Sequence, residues 1–442
     1  MKKRILLISY LFAPTNSIGA IRPTKLAKFL SRNGHQIDVV SADLGQDTEN
    51  NQIIDTDFIC KHYVILNNRE GIPFRKLKNY SVENPIDVSL LSHSKSVKLK
   101  NNESTDRFKE LKYFYRTTLG LMNSKQFIKN FEVLLSSEDF NGETYDTIIS
   151  TFGPVQSAMC GEAFKRKFGD VRWICDFRDP MVVDEISSFL KPYFRYLQNR
   201  MIKKANIVTT VSQGYKERIS MGRNLEKIRV ITNGFDVEDS ISVFSNSTVD
   251  YFSIVYVGSM YEGKRDFSPI FKVFRDLINE KLVNSDKVSI NYAGLDFEFF
   301  CAQSEEFSLS QLVTNHGNLS RDECLKLQFS SKMLLLSTWN YKNQEGVVPG
   351  KLFEYMLIKK PIIAVIEGDI IDSEVKLIME NAKLGVTYES VSSRNDYVNL
   401  KNYIIKQYNL FTKGIPLEYN PNTEVINSYN WESIVQQFED IV

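Results

Sequence analysis

Residues 345–365 read EGVVPGKLFEYMLIKKPIIAV, which is a glycine-containing turn, a short amphipathic helix and a buried strand in immediate succession. Leu352, Phe353, Met356 and Leu357 recur at helical spacing between Lys351 and Lys359, and Pro361 blocks continuation before the apolar run from Ile362 to Val365. The helix so predicted begins behind a loop, residues 346–350, whose backbone N–H groups and positive helix end face whatever lies in front. That arrangement favours a diphosphate and needs no metal. Glu354 falls in the first turns of this helix, where a carboxylate can accept both hydroxyls of a ribose, as an acid does in dinucleotide-binding folds. A glutamate near a helix start also arises because the macrodipole favours it, so the residues alone leave both roles open.

The chain has 442 residues, 43% of them hydrophobic and 25% charged, which is ordinary globular material with length enough for two cores. A net charge of +1 gives no global attraction to nucleic acid, so any basic surface is local. The five cysteines (Cys60, Cys160, Cys175, Cys301, Cys324) are scattered without C-x-x-C spacing and read as reduced thiols of a cytoplasmic protein. Lys2, Lys3 and Arg4 precede an apolar run in superficial imitation of a secretion signal. That run is short and passes into Pro14 and a glycine loop, as a first buried strand does. No stretch approaches the roughly 18–20 apolar residues of a membrane span, so the expectation is a soluble or peripheral protein.

Residues 4–9 read as that strand, residues 13–20 as a loop containing Gly19, residues 23–33 as a helix stopped by Gly34, and residues 36–42 as a second strand. A βαβ opening predicts a parallel sheet with ligands at the carboxyl ends of its strands. No G-x-G-x-x-G follows the first strand, which disfavours nicotinamide and flavin enzymes. Arg22 at the loop–helix junction is either a solvent-exposed first-turn residue or a cation facing a ligand. Residues 61–130 hold 14 Lys and Arg against 6 Asp and Glu, either a solvated insertion or a site for anionic lipid headgroups or a diphosphate-linked acceptor. His35, His62 and His93 lack metal-ligand spacing.

Strands over residues 146–151 and 171–177 end in polar loops carrying Gly153 and Pro154, and Arg178 and Asp179. These are placed to meet a ligand, although Arg178 and Asp179 could equally form an internal ion pair. Residues 190–204 form a basic amphipathic helix, for which packing on the sheet is favoured over lying on a membrane. Residues 237–250, polar and serine-rich, read as a linker. The βα rhythm then restarts at residues 252–257, followed by Gly258, Ser259 and, further on, Lys264 and Arg265. A glycine loop with a lysine after a strand suits phosphate. Ser320 and Glu323 form a capping-box start to another helix. Trp431, Ile434, Val435, Phe438 and Ile441 fall on one face of the last one.

Several groups of residues carry a family resemblance, among them the D-F-R-D-P segment from Asp176 to Pro180, similar to an acceptor-side motif, and the segment from His316 to Leu319, which lies near the nucleobase in relatives. The segment from Glu345 to Glu354 is similar to the C-terminal signature of family-4-type retaining glycosyltransferases of bacterial surface-polysaccharide type, with E-x8-E here where the family has E-x7-E. Tyr10, Pro14, Gly19, Arg22, Lys25, Lys28, Leu30, Gly34 and His35 resemble the family's amino-terminal pattern. The loop from Gly258 to Lys264 resembles its donor-phosphate loop, with Ser259 standing where the family has an arginine. The resemblance implies the GT-B arrangement, an α/β fold of two doubly wound Rossmann-like domains facing across a cleft. It divides the chain into an acceptor domain (residues 1–236), the linker, a nucleotide-sugar domain (251–415) and a C-terminal segment (416–442) returning to the first domain.

The activity implied is retaining transfer of a hexosyl or N-acetylhexosaminyl group from a UDP- or GDP-type sugar to a hydroxyl of a glycan or lipid-linked acceptor. Capsule or lipopolysaccharide synthesis is the implied setting, with no cofactor, no metal and no nucleic acid. Lys264, Arg265, Glu345 and Asp179 are then the catalytic candidates, Asp179 as the one possible carboxylate nucleophile. Donor contacts fall to Gly19, Gly258, Ser259, Lys264, Asn318, Leu319, Val347, Val348, Lys351 and Glu354, and acceptor-side contacts to Arg22, Gly153, Pro154, Arg178 and Asp179. The protein is placed in the cytoplasm, with peripheral association to an anionic membrane. A nucleotide-sugar epimerase or phosphorylase of the same fold, and a non-catalytic nucleotide-sugar-binding protein, are the competing readings.

Overall fold

The computed structural model describes residues 2–15, 17–44, 56–66, 74–77, 106–184, 186–240, 250–261 and 263–442. The chain divides into two compact units, Met1–Thr232 with Val435–Val442, and Asn233–Ile434. His93 and the greater part of the expected linker lie outside the described residues.

In the first unit β1 (Arg4–Ile8), β2 (Gln36–Ala42), β3 (Lys61–Ile65), β4 (Phe74–Leu77), β5 (Thr147–Phe152), β6 (Arg172–Phe177), β7 (Ile207–Thr210) and β8 (Ile228–Val230) form one sheet. Its spatial order is β4-β3-β2-β1-β5-β6-β7-β8, and every pairing is parallel except β3 with β4. The apolar runs require this: Ile5, Leu6, Leu7 and Ile8 are all buried, so β1 needs cover on both faces, which βαβ crossovers supply. The helix Ile18–Arg32 starts earlier than the proline at position 23 suggests, because the Ser17 side chain accepts the amide of Gly19 and caps it. Gly19 and Arg22 therefore sit on the helix, and Pro23 lies inside it.

In the second unit β9 (Phe252–Val257), β10 (Val288–Ala293), β11 (Val313–Asn315), β12 (Met333–Asn340), β13 (Ile362–Gly368) and β14 (Gly385–Glu389) form an all-parallel sheet in the order β11-β10-β9-β12-β13-β14. The opening stretch becomes helix Gly350–Ile358, ended by Lys359 in the left-handed region (φ 59°), followed by β13. Helix Arg321–Ser330 begins with a complete Ser320–Glu323 capping box.

The division between units falls at Thr232 rather than at residue 236. Phe235 pairs its backbone with Tyr429 and Trp431 and packs into the second core, which draws the chain from Asn233 onward into that unit. The C-terminal segment divides likewise. Ile426 is buried in the second core, and only Val435–Val442 belongs to the first unit. There Glu439 accepts from His35 and Asn33, and Lys3 Nζ reaches the carbonyl of Val442 at 2.6 Å. Because the Lys3 amide donates to Nδ1 of His35, Nε2 carries the proton given to Glu439. His62 is spent on Ser41.

Each sheet has one point where strand order reverses, β1 beside β5 in the first and β9 beside β12 in the second. Loops leaving the carboxyl ends of such neighbouring strands diverge and leave a crevice for ligands.

Candidate functional site

In the second unit the reversal point brings together the loop after β9 and the loop between β12 and helix Gly350–Ile358. Gly258 has φ 137°, a conformation L side chains rarely adopt. A Cβ there would lie 2.8 Å from Cε of Lys351 and 3.6 Å from its Nζ. The glycine thus lets a lysine from the helix's first turn lie across the backbone of the opposite loop. Lys264, further along the first loop, is exposed, and its amide closes a turn onto the carbonyl of Tyr261 at 3.1 Å. Pro349 occupies the N-cap and brings no side-chain acceptor, which leaves the first amides of the helix to other partners. Val347 is steadied by Thr338, whose hydroxyl donates to its carbonyl at 3.2 Å, while Val348 packs on the core and Glu345 is half-buried beside Gly346.

The first loop is held from beneath. Tyr256 and Tyr292 donate their hydroxyls to the carbonyls of Ser259 and Gly258, at 2.7 and 3.0 Å. Asp296, from the loop after β10, accepts from Ser259 Oγ and from the Met260 amide, at 2.5 and 2.7 Å. Burial pushes the hydroxyls of Tyr256 and Tyr292 up to about 12, so both stay protonated as donors. Arg265 departs from expectation. It is buried, with its guanidinium over the Tyr261 ring and donating to the Tyr256 hydroxyl and the Ser259 carbonyl. It braces the loop from inside and does not supply the charge that Ser259 leaves out.

Glu354 is half-buried on helix Gly350–Ile358. Its Oε1 accepts from Gln328 Nε2 at 3.1 Å, and its Oε2 lies 3.8 Å from Arg321 Nη1. A helix-start glutamate serving only the dipole would not need such orientation. Here two residues of helix Arg321–Ser330 fix where the carboxylate points. That helix follows directly on Asn318, which is exposed, and Leu319, which packs on the core. The Gly294 amide donates to the Gly317 carbonyl at 2.8 Å and locks this loop to the one after β10. Gly258, Ser259, Lys264, Val347, Val348, Lys351, Glu354, Asn318 and Leu319 thus all lie in loops or first helical turns at one edge of the second sheet.

The remaining candidates lie at the same edge of the first sheet. Arg22 corrects both expectations held for it, since it is neither solvent-exposed nor turned to a ligand. It is 3% exposed, donates to both oxygens of Asp176 at 2.9 and 2.8 Å, and also donates to the carbonyls of Ile231 and Thr232. Asp176 also accepts from Thr209, so the pair is a satisfied internal strut. Arg178 spans the crevice at the β1–β5 reversal. Its Nη2 donates to the Gly153 carbonyl at 2.7 Å and its Nε to that of Phe152 at 3.3 Å. A Cβ on Gly153 (φ 116°) would lie 2.3 Å from Nη2, and one on Gly19 would lie 2.9 Å from Nη1. Gly19, Gly153 and Arg178 are therefore brought together, with Pro154 capping the next helix. Asp179 is exposed by surface area, yet enough protein surrounds its carboxyl to raise it above the usual carboxylate range, with Arg178 and Arg218 offsetting part of the rise.

Asp296, Gln328 and Asp176 each orient one of the candidates without standing among them. Arg321 opens the helix Arg321–Ser330. Asp296 lies two residues after Gly294 at a strand end, which is the one local signal among them. Among the described residues no group of three or more His, Cys, Asp and Glu could hold a metal, and no helix is long and apolar enough to cross a membrane.

No protein-family model matches the chain, and no curated protein matches its sequence. Solved structures match its fold over almost its whole length. Sucrose-phosphate synthase from Thermosynechococcus elongatus is similar with a TM-score of 0.58 and 14% identity, over 99% of this chain and 98% of that one. The lipopolysaccharide outer core galactosyltransferase WaaB matches with a TM-score of 0.53 and 14% identity over the same shares. An E. coli trehalose-6-phosphate protein bound with UDP-2-fluoro glucose matches with a TM-score of 0.57 and 10% identity, again over 99% and 98%. The chain thus resembles GT-B glycosyltransferases, with two Rossmann-like α/β domains.

Proposed function

We propose that the protein is a retaining glycosyltransferase that moves a hexosyl or N-acetylhexosaminyl group from a UDP- or GDP-type sugar to a hydroxyl of a glycan or lipid-linked acceptor, in cell-surface polysaccharide synthesis. The observation that carries the reading is the convergence of Lys351 on Gly258, in a loop that also holds exposed Lys264, in front of a helix whose carboxylate Glu354 is held by Gln328. Two ammonium groups and a helix N-terminus suit a diphosphate, and an oriented carboxylate one turn further in suits the ribose beside it. The likeness in fold to a sucrose-phosphate synthase and a galactosyltransferase supports the same class of chemistry.

In this mechanism Lys264, Lys351 and the amides of Val347, Val348 and Gly350 stabilise the diphosphate as it leaves and gains charge. The departing phosphate oxygen takes the proton of the attacking hydroxyl, so the new bond forms on the face from which the old one breaks. Residues Arg178, Asp179, Gly153 and Pro154 of the first unit are assigned to the acceptor, Arg178 by shaping the loop and Asp179 by contact. The protein works in the cytoplasm, peripheral to an anionic membrane.

Incubation with a panel of UDP- and GDP-sugars, followed by product NMR, tests this. Slow release of nucleoside diphosphate and a sugar of unchanged anomeric configuration is expected, and it should survive strong chelation. Conversion of the donor into its epimer, or binding with no turnover for any donor and acceptor, would refute it.

A further inference from the structure

Arg321 differs from the arginines that brace this chain. Arg22 forks onto Asp176 at 2.9 and 2.8 Å, and Arg265 donates to the Tyr256 hydroxyl and the Ser259 carbonyl. Arg321 lies between two carboxylates and closes on neither. Its Nη1 is 3.8 Å from Oε2 of Glu354, and its Nη2 is 3.6 Å from Oδ2 of Asp239. Both separations are too long for a direct hydrogen bond. Nε of Arg321 has no hydrogen-bond partner among the described residues. All three side chains belong to the second unit, and Arg321 and Glu354 are 36 and 22% exposed, within reach of a ligand.

The width of the gap says what fits it. A hydroxyl oxygen that donates to a carboxylate and accepts from a guanidinium lies about 2.7 Å from the first and about 2.9 Å from the second. Two such bonds meeting at close to a right angle span about 4 Å, the separation found between Glu354 and Arg321. Gln328 holds Oε1 of Glu354 at 3.1 Å, and it is Oε2 that faces the guanidinium. Position in the chain selects the hydroxyl. Arg321 opens the helix that follows Asn318 and Leu319, on the side assigned to the nucleobase, whereas Lys351 and the first amides of helix Gly350–Ile358 are assigned to the diphosphate. The 2′-hydroxyl of a ribose is on the carbon next to the one that bears the base, and the 3′-hydroxyl is on the carbon nearer the phosphate.

We infer that Arg321 is a specificity-determining residue, which donates to the 2′-oxygen of the donor ribose while that hydroxyl donates to Glu354. Asp239, in the short turn Val237–Ser240, is a positioning residue that holds the guanidinium from its other side. The inference rests on the proposed assignment of Glu354 to ribose and extends it to the class of donor. A ribonucleoside diphosphate sugar fills the gap with one oxygen that serves both side chains. A 2′-deoxyribonucleoside diphosphate sugar leaves both unserved and is discriminated against. Partly exposed ion pairs at these distances add little to folding stability, so the role is separable from support of the helix.

The test is calorimetric titration of UDP and GDP, and of the 2′-deoxy and 3′-deoxy form of each, into the wild type, Arg321→Met, Arg321→Lys and Asp239→Asn. The nucleotide that the wild type binds is the one read. Its 2′-deoxy form should bind at least about tenfold more weakly than the ribonucleotide. Arg321→Met should lose about tenfold or more for the ribonucleotide and for the 3′-deoxy form, and much less for the 2′-deoxy form. Arg321→Lys, which keeps the charge without the fork, should restore only part of the loss. Asp239→Asn should follow the pattern of Arg321→Met on a smaller scale, and melting temperatures should stay level. An equal loss for the ribonucleotide and its 2′-deoxy form in Arg321→Met overturns the inference and leaves the ribose assignment of Glu354 standing. So does a loss coupled to the 3′-hydroxyl, or a lower melting temperature with unchanged affinities. A wild type that binds neither nucleotide overturns this inference and the proposed function together.

Discussion

The two points of strand reversal are built alike and filled differently. At β1 and β5 the crevice holds Arg178, whose guanidinium lies against Gly19 and Gly153 and bonds backbone carbonyls; Arg22 is buried and forked onto Asp176. At β9 and β12 the approach of chain to chain is made by lysines, one lying over Gly258 and one exposed. The arginines present planar forks that satisfy fixed carbonyls and carboxylates, and so serve as internal struts. The lysines are flexible point charges able to follow a phosphate that moves or leaves. The same formal charge at the same place in the same fold is therefore tied to backbone carbonyls and a carboxylate in one domain and carried by lysines, one of them exposed, in the other.

The largest expected effect lies on the structural side. Arg22→Met leaves the Asp176 carboxylate buried without its partner, which costs on the order of 3–5 kcal/mol, read by urea unfolding. Nucleoside diphosphate affinity should not change. A stable variant with lost affinity would reverse the assignment. Next comes Lys264→Ala, expected to remove about 1.5–3 kcal/mol of diphosphate binding and to lower turnover with it, while urea stability stays level. Calorimetric titration reads the first quantity. Unchanged affinity would erase the distinction between the two edges.

Gly258→Ala sharpens the comparison. The backbone strain is about 1–3 kcal/mol, and the added methyl pushes Lys351 off its loop, so stability and affinity fall together. Gly153→Ala, by contrast, should cost stability and acceptor use but leave nucleoside diphosphate affinity level, since the side chain displaced is Arg178. The smallest effect is that of Ser320→Ala. Loss of the capping box costs about 1 kcal/mol, with affinity weakened only as Gln328 and Arg321 drift from Glu354.

The sheets were legible because their strands are buried on both faces and so appear as unbroken apolar runs. Chain order then placed the loops after Val257 and Asn340. The short helix was legible to within one residue at either end. What could not be read is which way a cation turns. Arg22 meets a carboxylate 154 residues away in the chain, and Arg265 turns inward onto a tyrosine nine residues before it. Neither partner is marked by local pattern. The return of the last helix was visible in its apolar face, but the residue where it changes domain depends on the pairing of Phe235 with Tyr429 and Trp431, a long-range match without a local signature.

The claim on which the rest depends is that Glu354 receives a ribose. Calorimetric titration of wild type and Glu354→Gln, each with a nucleoside diphosphate and its 2′-deoxy counterpart, tests it most directly. The substitution keeps the shape and the Gln328 contact but loses the charge, about 1.5–3 kcal/mol per hydrogen bond. The expected result is a large loss of affinity for the ribonucleotide and a smaller one for the deoxynucleotide, which already lacks one partner. Equal losses for both ligands, or a lower melting temperature with affinity untouched, would show that Glu354 only supports its helix and would contradict the account.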